Sequence, residues 1–164
     1  MMSLINNLTD KLDEMLSIFE GVFGFNEAVV AVDKLIYDAL SDLICKELNI
    51  DKPYIRVKDM KPNHYGEYNP NNNCISLNKL LSPTSYMLIG EDDKALEHMS
   101  TLAHELRHVY QHKYNASILD NYVDDYVNNY KEYREQASEV DARQYQHDWC
   151  TNKKDIFEFL LNNI

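Results

Sequence analysis

The four prolines of this 164-residue chain all lie in one central window, at positions 53, 62, 70 and 83. The long stretches before and after this window contain no proline. Because proline interrupts a helix interior and the centre of a sheet, only the flanks can carry long uninterrupted helices. The distribution therefore predicts an α+β chain that is mainly helical and has a small antiparallel sheet or hairpin in its middle.

Apolar side chains recur at helical intervals on both flanks of this window. The pattern predicts five helices, which cover about Leu4 to Phe23, Asn26 to Leu48, Asp92 to Tyr114, Tyr133 to Trp149 and Lys153 to Leu161. We expect these helices to form the scaffold around a shared core.

The central window carries the signals of β structure. Apolar and polar side chains alternate from Tyr54 to Asp59, which is the period of a half-buried strand. Further on, His64–Tyr68 and Cys74–Asn78 flank an Asn- and Pro-rich run that accepts turn geometry readily. We therefore expect a β-hairpin ahead of the helix that begins at Asp92.

The length of the chain favours a single domain with one core. Apolar residues make up 45% of the sequence, as in globular rather than disordered proteins. We expect one domain over residues 1–164, composed of an N-terminal helical pair (1–50), a central core (53–150) and a C-terminal helix (151–164).

Charge and cysteine content restrict the partners and the compartment. A net charge of −11 repels phosphate backbones, so we expect no nucleic-acid partner. Three scattered cysteines cannot form a closed disulfide framework, which favours a reducing compartment. Asp10, Asp13 and Glu14 interrupt the apolar stretch that a secretory signal needs, and no segment approaches the ~20 apolar residues that span a bilayer. We expect a cytoplasmic protein without a membrane partner; the sequence leaves its oligomeric state open.

The segment His104-Glu105-Leu106-Arg107-His108 carries the strongest chemical signal. On a helix, residues four apart lie on the same face and ~6 Å apart along the axis, so His104 and His108 can bind one metal ion. Glu105 points one step round the helix, where it can hydrogen-bond a water held by that ion. Two histidines can also share a solvated face by chance, but apolar positions on this helix can bury its other side. The segment therefore predicts a metal site of the zinc-hydrolase kind.

A zinc site of this kind needs a third protein ligand. His112 continues the histidine stripe, but it lies ~12 Å along the axis from His104, too far to share one ion on a straight helix. The elongated metzincin signature would place a glycine at position 111 and a histidine at position 114. The chain has Gln111 and Tyr114 there, so this subclass is excluded.

Carboxylates on the helix predicted from 133 to 149 are better candidates for the third ligand. Glu135 and Glu139 share a face by the four-residue rule, whereas Asp141 is turned by ~200° from Glu139. Spacing alone leaves the choice among the three open. We expect His64 and His98 at the surface or in a supporting position.

Three parts of the sequence, in this order, resemble minimal gluzincin-type metallopeptidases of the ImmA/IrrE-like sort, which occur in phages, mobile elements and low-GC bacteria. These parts are the hairpin from Gly66 to Asn78, the HExxH segment from His104 to Gln111 and the acidic segment from Glu139 to Ala142. The resemblance covers roughly residues 53 to 150 and implies a zincin-like fold with a metallopeptidase core.

The resemblance also implies roles for individual residues. It implies Zn²⁺ as the cofactor, held by His104, His108 and a glutamate, with Glu105 as the general base. Family variants with a glutamate two residues before Asp-Ala resemble the present sequence at Glu139. We therefore expect Glu139 as the third ligand, with Glu135 in reserve.

The expected function is zinc-dependent hydrolysis of peptide bonds in a protein or peptide substrate. Glu105 would take a proton from the zinc-activated water and pass it to the leaving amine. We expect the strand Cys74–Asn78 to hold the substrate by strand addition at a sheet edge. Candidates to stabilise charge in the transition state are Tyr133, Arg143, Tyr145 and His147.

Two alternative functions stay open at the level of the sequence. The first is a metal site without catalysis, which would serve as a sensor or a structural clamp. The second is an acidic interaction protein, such as an inhibitor or a nucleic-acid mimic, for which the net charge is the only support. Substitution of Glu105 separates the first alternative from an active peptidase, and metal content separates the second.

Overall fold

A computed structural model describes residues 25–123, 128–153 and 155–156 of the chain, with the side chains of residues 25–28 left out. The helix predicted from Leu4 to Phe23, and most of the one predicted from Lys153 to Leu161, lie outside the described residues. The helices are α1 (Phe25–Leu48), α2 (Pro83–Leu88), α3 (Asp92–Tyr114), α4 (Tyr130–Glu135) and α5 (Ala137–Asn152). The strands are β1 (Tyr54–Lys58), β2 (Gly66–Asn69) and β3 (Cys74–Asn78). The architecture is α+β and mainly helical, which confirms the predicted fold class.

The sheet contains three strands in the order β1-β3-β2. Strands β2 and β3 form the predicted antiparallel hairpin, with Gly66 opposite Leu77. Strand β1 pairs with the other side of β3 in parallel, with Tyr54 opposite Cys74, so the sheet is mixed rather than purely antiparallel. The prediction that Cys74–Asn78 forms an edge is therefore wrong, because hydrogen bonds occupy both of its sides. The edge strand of the hairpin is β2.

Helix α3 is the central element of the fold and packs against α1, α2, α5, β2 and β3. Its apolar face buries Leu102 and Leu106 completely, next to Ile75 of the sheet and Ile36 of α1. Burial of each such side chain contributes about 1.5–3 kcal/mol. The core thus fixes α3 between the sheet and α5. Within the described residues, no helix combines the length and the apolar character that crossing a bilayer requires.

Helix α2 begins at a capped N-terminus that is tied to α1. The Ser82 hydroxyl accepts a hydrogen bond of 3.0 Å from the Ser85 N–H, and Pro83 occupies the first turn, where its missing N–H costs nothing. Asp33 of α1 accepts a second hydrogen bond, also 3.0 Å, from the Thr84 N–H. Burial raises the pKa of the Asp33 carboxyl, although hydrogen bonds from Ser82 and Thr84 oppose the shift.

The helix predicted from Tyr133 to Trp149 is two helices, α4 and α5, separated at Gln136. Gln136 has extended backbone angles (φ −65°, ψ 148°). Its side-chain amide accepts from the Val123 N–H at 2.9 Å and donates to the Val123 carbonyl at 3.3 Å. This contact with the preceding loop is long-range and therefore invisible to helical periodicity. The break places Glu135 and Glu139 on different helices.

Candidate metal centre

Helices α3 and α5 pack side by side in opposite chain directions. The side chain of Gln111, near the C-terminal end of α3, contacts Ser138 at the start of α5. In the other half of the pair, Gln146 donates a hydrogen bond of 2.7 Å to the Ser100 hydroxyl. Glu139, in the first turn of α5, therefore lies opposite the histidine stripe of α3.

His104, His108 and Glu139 converge on one point. The two Nε2 atoms are 3.1 Å apart, Glu139 Oε2 is 3.3 Å from Nε2 of His104, and Glu139 Oε1 is 3.3 Å from Nε2 of His108. Ligand atoms of a tetrahedral zinc site with bonds of about 2.0–2.1 Å lie about 3.3–3.4 Å from one another. The three side chains can therefore hold one metal ion. They are the ligand set that the sequence analysis predicts.

The surroundings of Glu139 also fit a bound cation. Its side chain is 2% exposed, and Oε1 has no hydrogen-bond partner among the described residues in spite of its nearness to His108. A buried polar atom without a partner costs about 1–3 kcal/mol, and more when it is charged. A cation between the three ligands would remove this cost, and two imidazole nitrogens with one carboxylate oxygen form a donor set that suits divalent transition metals.

The charges of the cluster are coupled. Burial raises the pKa of the Glu139 carboxyl, but His104 and His108 outweigh burial and hold it well below its usual range. Burial lowers the pKa of His108, but Glu139 and Glu105 outweigh it and leave that pKa raised. Protons therefore compete with a metal ion for this site, and acidification favours the protons.

Glu105 lies beside the cluster and under the edge of the sheet. It is 5% exposed, and burial raises the pKa of its carboxyl while the two histidines oppose the shift. A Cβ atom at Gly66 of β2 would lie 3.1 Å from Oε1 of Glu105 and 2.9 Å from Cγ2 of Thr101. Only a glycine at position 66 therefore allows β2 to lie this close to α3. Glu105 is held between the edge strand and the ligands, a position from which a base can act.

The remaining candidate ligands lie elsewhere. Glu135, the reserve ligand, is exposed at the end of α4 and is not part of the cluster. His112 packs edge-on against Tyr68 with 5.5 Å between the ring centroids and does not join the cluster either. His98 is buried between two tyrosine rings and is not part of the cluster, so of its two expected positions the one at the surface is excluded. His64 lies close enough to Glu105 to lower its pKa, in agreement with a supporting position.

Two of the four candidates for stabilising transition-state charge adjoin the cluster. Tyr133 of α4 hydrogen-bonds with Glu139, and burial together with Glu139 raises the pKa of its phenol, which therefore stays protonated. Arg143 places Nη1 3.5 Å from Oε2 of Glu139. Tyr145 instead packs against the guanidinium of Arg107 on α3, and His147 is exposed.

A partly buried polar network behind the cluster was not predicted from the sequence. Nδ1 of His108 is 2.8 Å from Oε1 of Gln111, a fully buried side chain. Gln111 also reaches Asp141, which accepts two hydrogen bonds from Arg107 at 2.7 and 3.0 Å. Asp141, which spacing leaves open as a ligand, supports the site instead. The signal that could have indicated this network is the placement of Gln111 one helical turn after His108.

Comparison with known proteins adds no identification. No protein-family model, no curated protein and no solved structure matches the chain.

Proposed function

We propose that this protein is a zinc-dependent peptidase, in which His104, His108 and Glu139 hold the metal and Glu105 is the general base. The observation that carries the proposal is a buried glutamate next to three ligand atoms at tetrahedral spacing. Three protein ligands leave a fourth coordination position for water or substrate, as in catalytic rather than structural zinc sites. The resemblance of the sequence to gluzincin-type peptidases supports the same function.

The roles of the protein groups follow from their positions. Bound Zn²⁺ would lower the pKa of a coordinated water toward about 7 and polarise the substrate carbonyl. Glu105 takes the proton from the attacking water and delivers it to the leaving nitrogen. Burial raises the pKa of the Glu105 carboxyl, which favours a group that has to accept the proton and then hold it until it is returned. Tyr133 and Arg143 both contact Glu139, and in this proposal they would donate hydrogen bonds to the carbonyl oxygen as it gains charge.

Strand β2 is the element that holds the substrate in this proposal. It is an edge strand, and an extended peptide can add to such an edge through main-chain hydrogen bonds. Gly66 brings β2 against Glu105, so a peptide added along β2 would lie near the candidate general base. This assignment takes the place of the substrate role predicted for Cys74–Asn78.

Three variants test the proposal, with zinc stoichiometry and cleavage of a peptide library, mapped by mass spectrometry, as the two readouts. Glu105→Gln should bind zinc like the wild type and lose cleavage by at least about 100-fold, the usual contribution of a general base. Glu139→Gln should lose stoichiometric zinc and cleavage together. Glu97→Gln, on an exposed glutamate of the same helix, should change neither.

Each outcome separates the proposed function from one of its alternatives. Absence of stoichiometric metal from the wild type would refute the metal centre and favour an acidic interaction protein. Zinc binding without cleavage of any peptide would favour the catalytically idle site. Cleavage by Glu105→Gln at the wild-type rate would leave the metal centre intact and refute the general base.

A further inference from the structure

One buried amide joins a metal ligand to the opposite helix. Gln111 lies three residues after His108 on α3 and is fully buried between α3 and α5. Its Oε1 is 2.8 Å from Nδ1 of His108. Its Nε2 donates to the Ser138 carbonyl at 2.9 Å and to Oδ2 of Asp141 at 2.8 Å.

The partners of Nε2 determine which way the amide faces. The Ser138 carbonyl can only accept hydrogen bonds. Asp141 also accepts, because both of its oxygens receive N–H groups of Arg107, at 2.7 and 3.0 Å. Rotation of the Gln111 amide by 180° would set its oxygen against two acceptors and leave the amide without these two hydrogen bonds. The nitrogen therefore faces α5 and the oxygen faces His108.

This orientation determines the tautomer of His108. Because an amide oxygen only accepts, the proton of that hydrogen bond belongs to Nδ1 of His108. In the neutral ring, Nε2 then offers its electron pair, and Nε2 is the atom that faces His104 and Glu139. We infer that Gln111, held in place by Asp141 and Arg107, is a positioning residue that sets the tautomer and the ring orientation of His108 for metal binding. The inference rests on the metal site of the proposed function.

The network predicts a dependence between residues. Among the described residues, the hydrogen bonds of Asp141 connect it to the metal site through Gln111, since its carboxylate accepts from the amide nitrogen and not from the histidine. Loss of Asp141 should therefore weaken zinc binding while Gln111 is present and add nothing once Gln111 is gone. If the two residues acted independently, their effects on the free energy of zinc binding would add in the double variant.

The experiment measures the zinc dissociation constant by competition with a chromogenic chelator at pH 7. Gln111→Leu should weaken binding about 10–100-fold, the usual effect of removing an outer partner of a metal-binding histidine. Asp141→Ala should weaken it less, and the double variant should bind as Gln111→Leu does. Gln144→Leu is the control, since Gln144 is an exposed glutamine of α5 that bonds to Asp148. Its affinity should equal that of the wild type.

A second measurement needs no variant and separates positioning from a purely structural role. In ¹⁵N-histidine NMR spectra of the zinc-loaded wild type, His108 should show a slowly exchanging Nδ1–H and a metal-bound Nε2. Metal bound through Nδ1 would overturn the inference even if Gln111→Leu fails to fold. Equal zinc affinity of wild type and folded Gln111→Leu would overturn the inference alone, whereas a wild type that binds no zinc would overturn the metal site together with it.

Discussion

The close approach of β2 to α3 predicts what one methyl group would do to the candidate active site. In Gly66→Ala, the new Cβ would lie 2.9 Å from Cγ2 of Thr101 and 3.1 Å from Cγ and Oε1 of Glu105. Carbon atoms in good van der Waals contact are about 3.5–4.0 Å apart. Relief of the overlap therefore requires the strand or the two side chains to move by roughly half an ångström. Part of this movement falls on Glu105.

Two opposing contributions determine the change in stability of Gly66→Ala. Overpacking costs about 1–3 kcal/mol. Alanine also lowers the conformational entropy of the unfolded chain, which stabilises the fold by about 0.4–1 kcal/mol where the native backbone tolerates an alanine. Gly66 tolerates it, because its φ is not positive. We expect a net loss of about 1–2 kcal/mol in the free energy of unfolding, equivalent to about 2–4 °C in Tm per kcal/mol.

Urea unfolding followed by circular dichroism, together with peptide cleavage, checks this prediction. Thr101→Ser removes the closest methyl group and keeps the hydroxyl, so the double variant should recover most of the lost stability and cleavage. Gly90→Ala is the matched control. Gly90 has a φ of 74° and open space around it, so alanine there should cost about 1 kcal/mol through the backbone alone. Thr101→Ser should not restore the stability of Gly90→Ala, and Gly90→Ala should cleave peptides at the wild-type rate.

The prediction for Gly66 has a clear refutation. A Gly66→Ala variant as stable and as active as the wild type would show that β2 does not press on Glu105. A loss of stability that Thr101→Ser leaves unchanged would show that the overlap with the Thr101 methyl is not its cause.

Three further predictions concern charge and metal. The folded-state pKa of Asp33 is raised above its unfolded value near 3.8, so its ionised form destabilises the fold at pH 7 and the penalty disappears as the pH falls. Asp33→Asn keeps an acceptor for the Thr84 N–H and should have a larger free energy of unfolding than the wild type at pH 7. This difference should disappear near pH 4. An equal difference at both pH values would contradict the reasoning. Zn²⁺ at about 1,000 times its Kd should raise the free energy of unfolding by about 4 kcal/mol, an effect that excess chelator and Glu139→Gln should abolish. Because the pKa of His108 is raised, zinc affinity should be lower at pH 5.5 than at pH 7.5.

Short-range patterns determined the main elements of this fold. Helical periodicity and the absence of proline predict the end of α1 at Leu48 and the full extent of α3, Asp92–Tyr114. The Asn- and Pro-rich run predicts the turn between β2 and β3. These features depend on residues a few positions apart, which is the range over which hydrogen-bonding periodicity, caps and turns act.

The pairing of β1 and the break before α5 depended on distant residues. Nothing local to Tyr54–Lys58 indicates a parallel partner twenty residues later, yet this pairing makes β3 central and β2 the edge. Gln136 lies in a helical pattern, but its side chain bonds to the backbone of Val123 and the helix stops there. The four-residue spacing rule was therefore wrong to place Glu135 on one helix face with Glu139.

The candidate metal centre divides in the same way. The sequence by itself determined His104, Glu105 and His108, because all three lie within two turns of one helix and their geometry follows from helical pitch alone. The resemblance favoured Glu139 over Glu135, but spacing left the choice open, and only the tertiary structure decided that Glu139 meets them, since that contact depends on how α5 packs across α3. It also decided the orientation of the Gln111 amide, since the acceptors that fix it belong to α5.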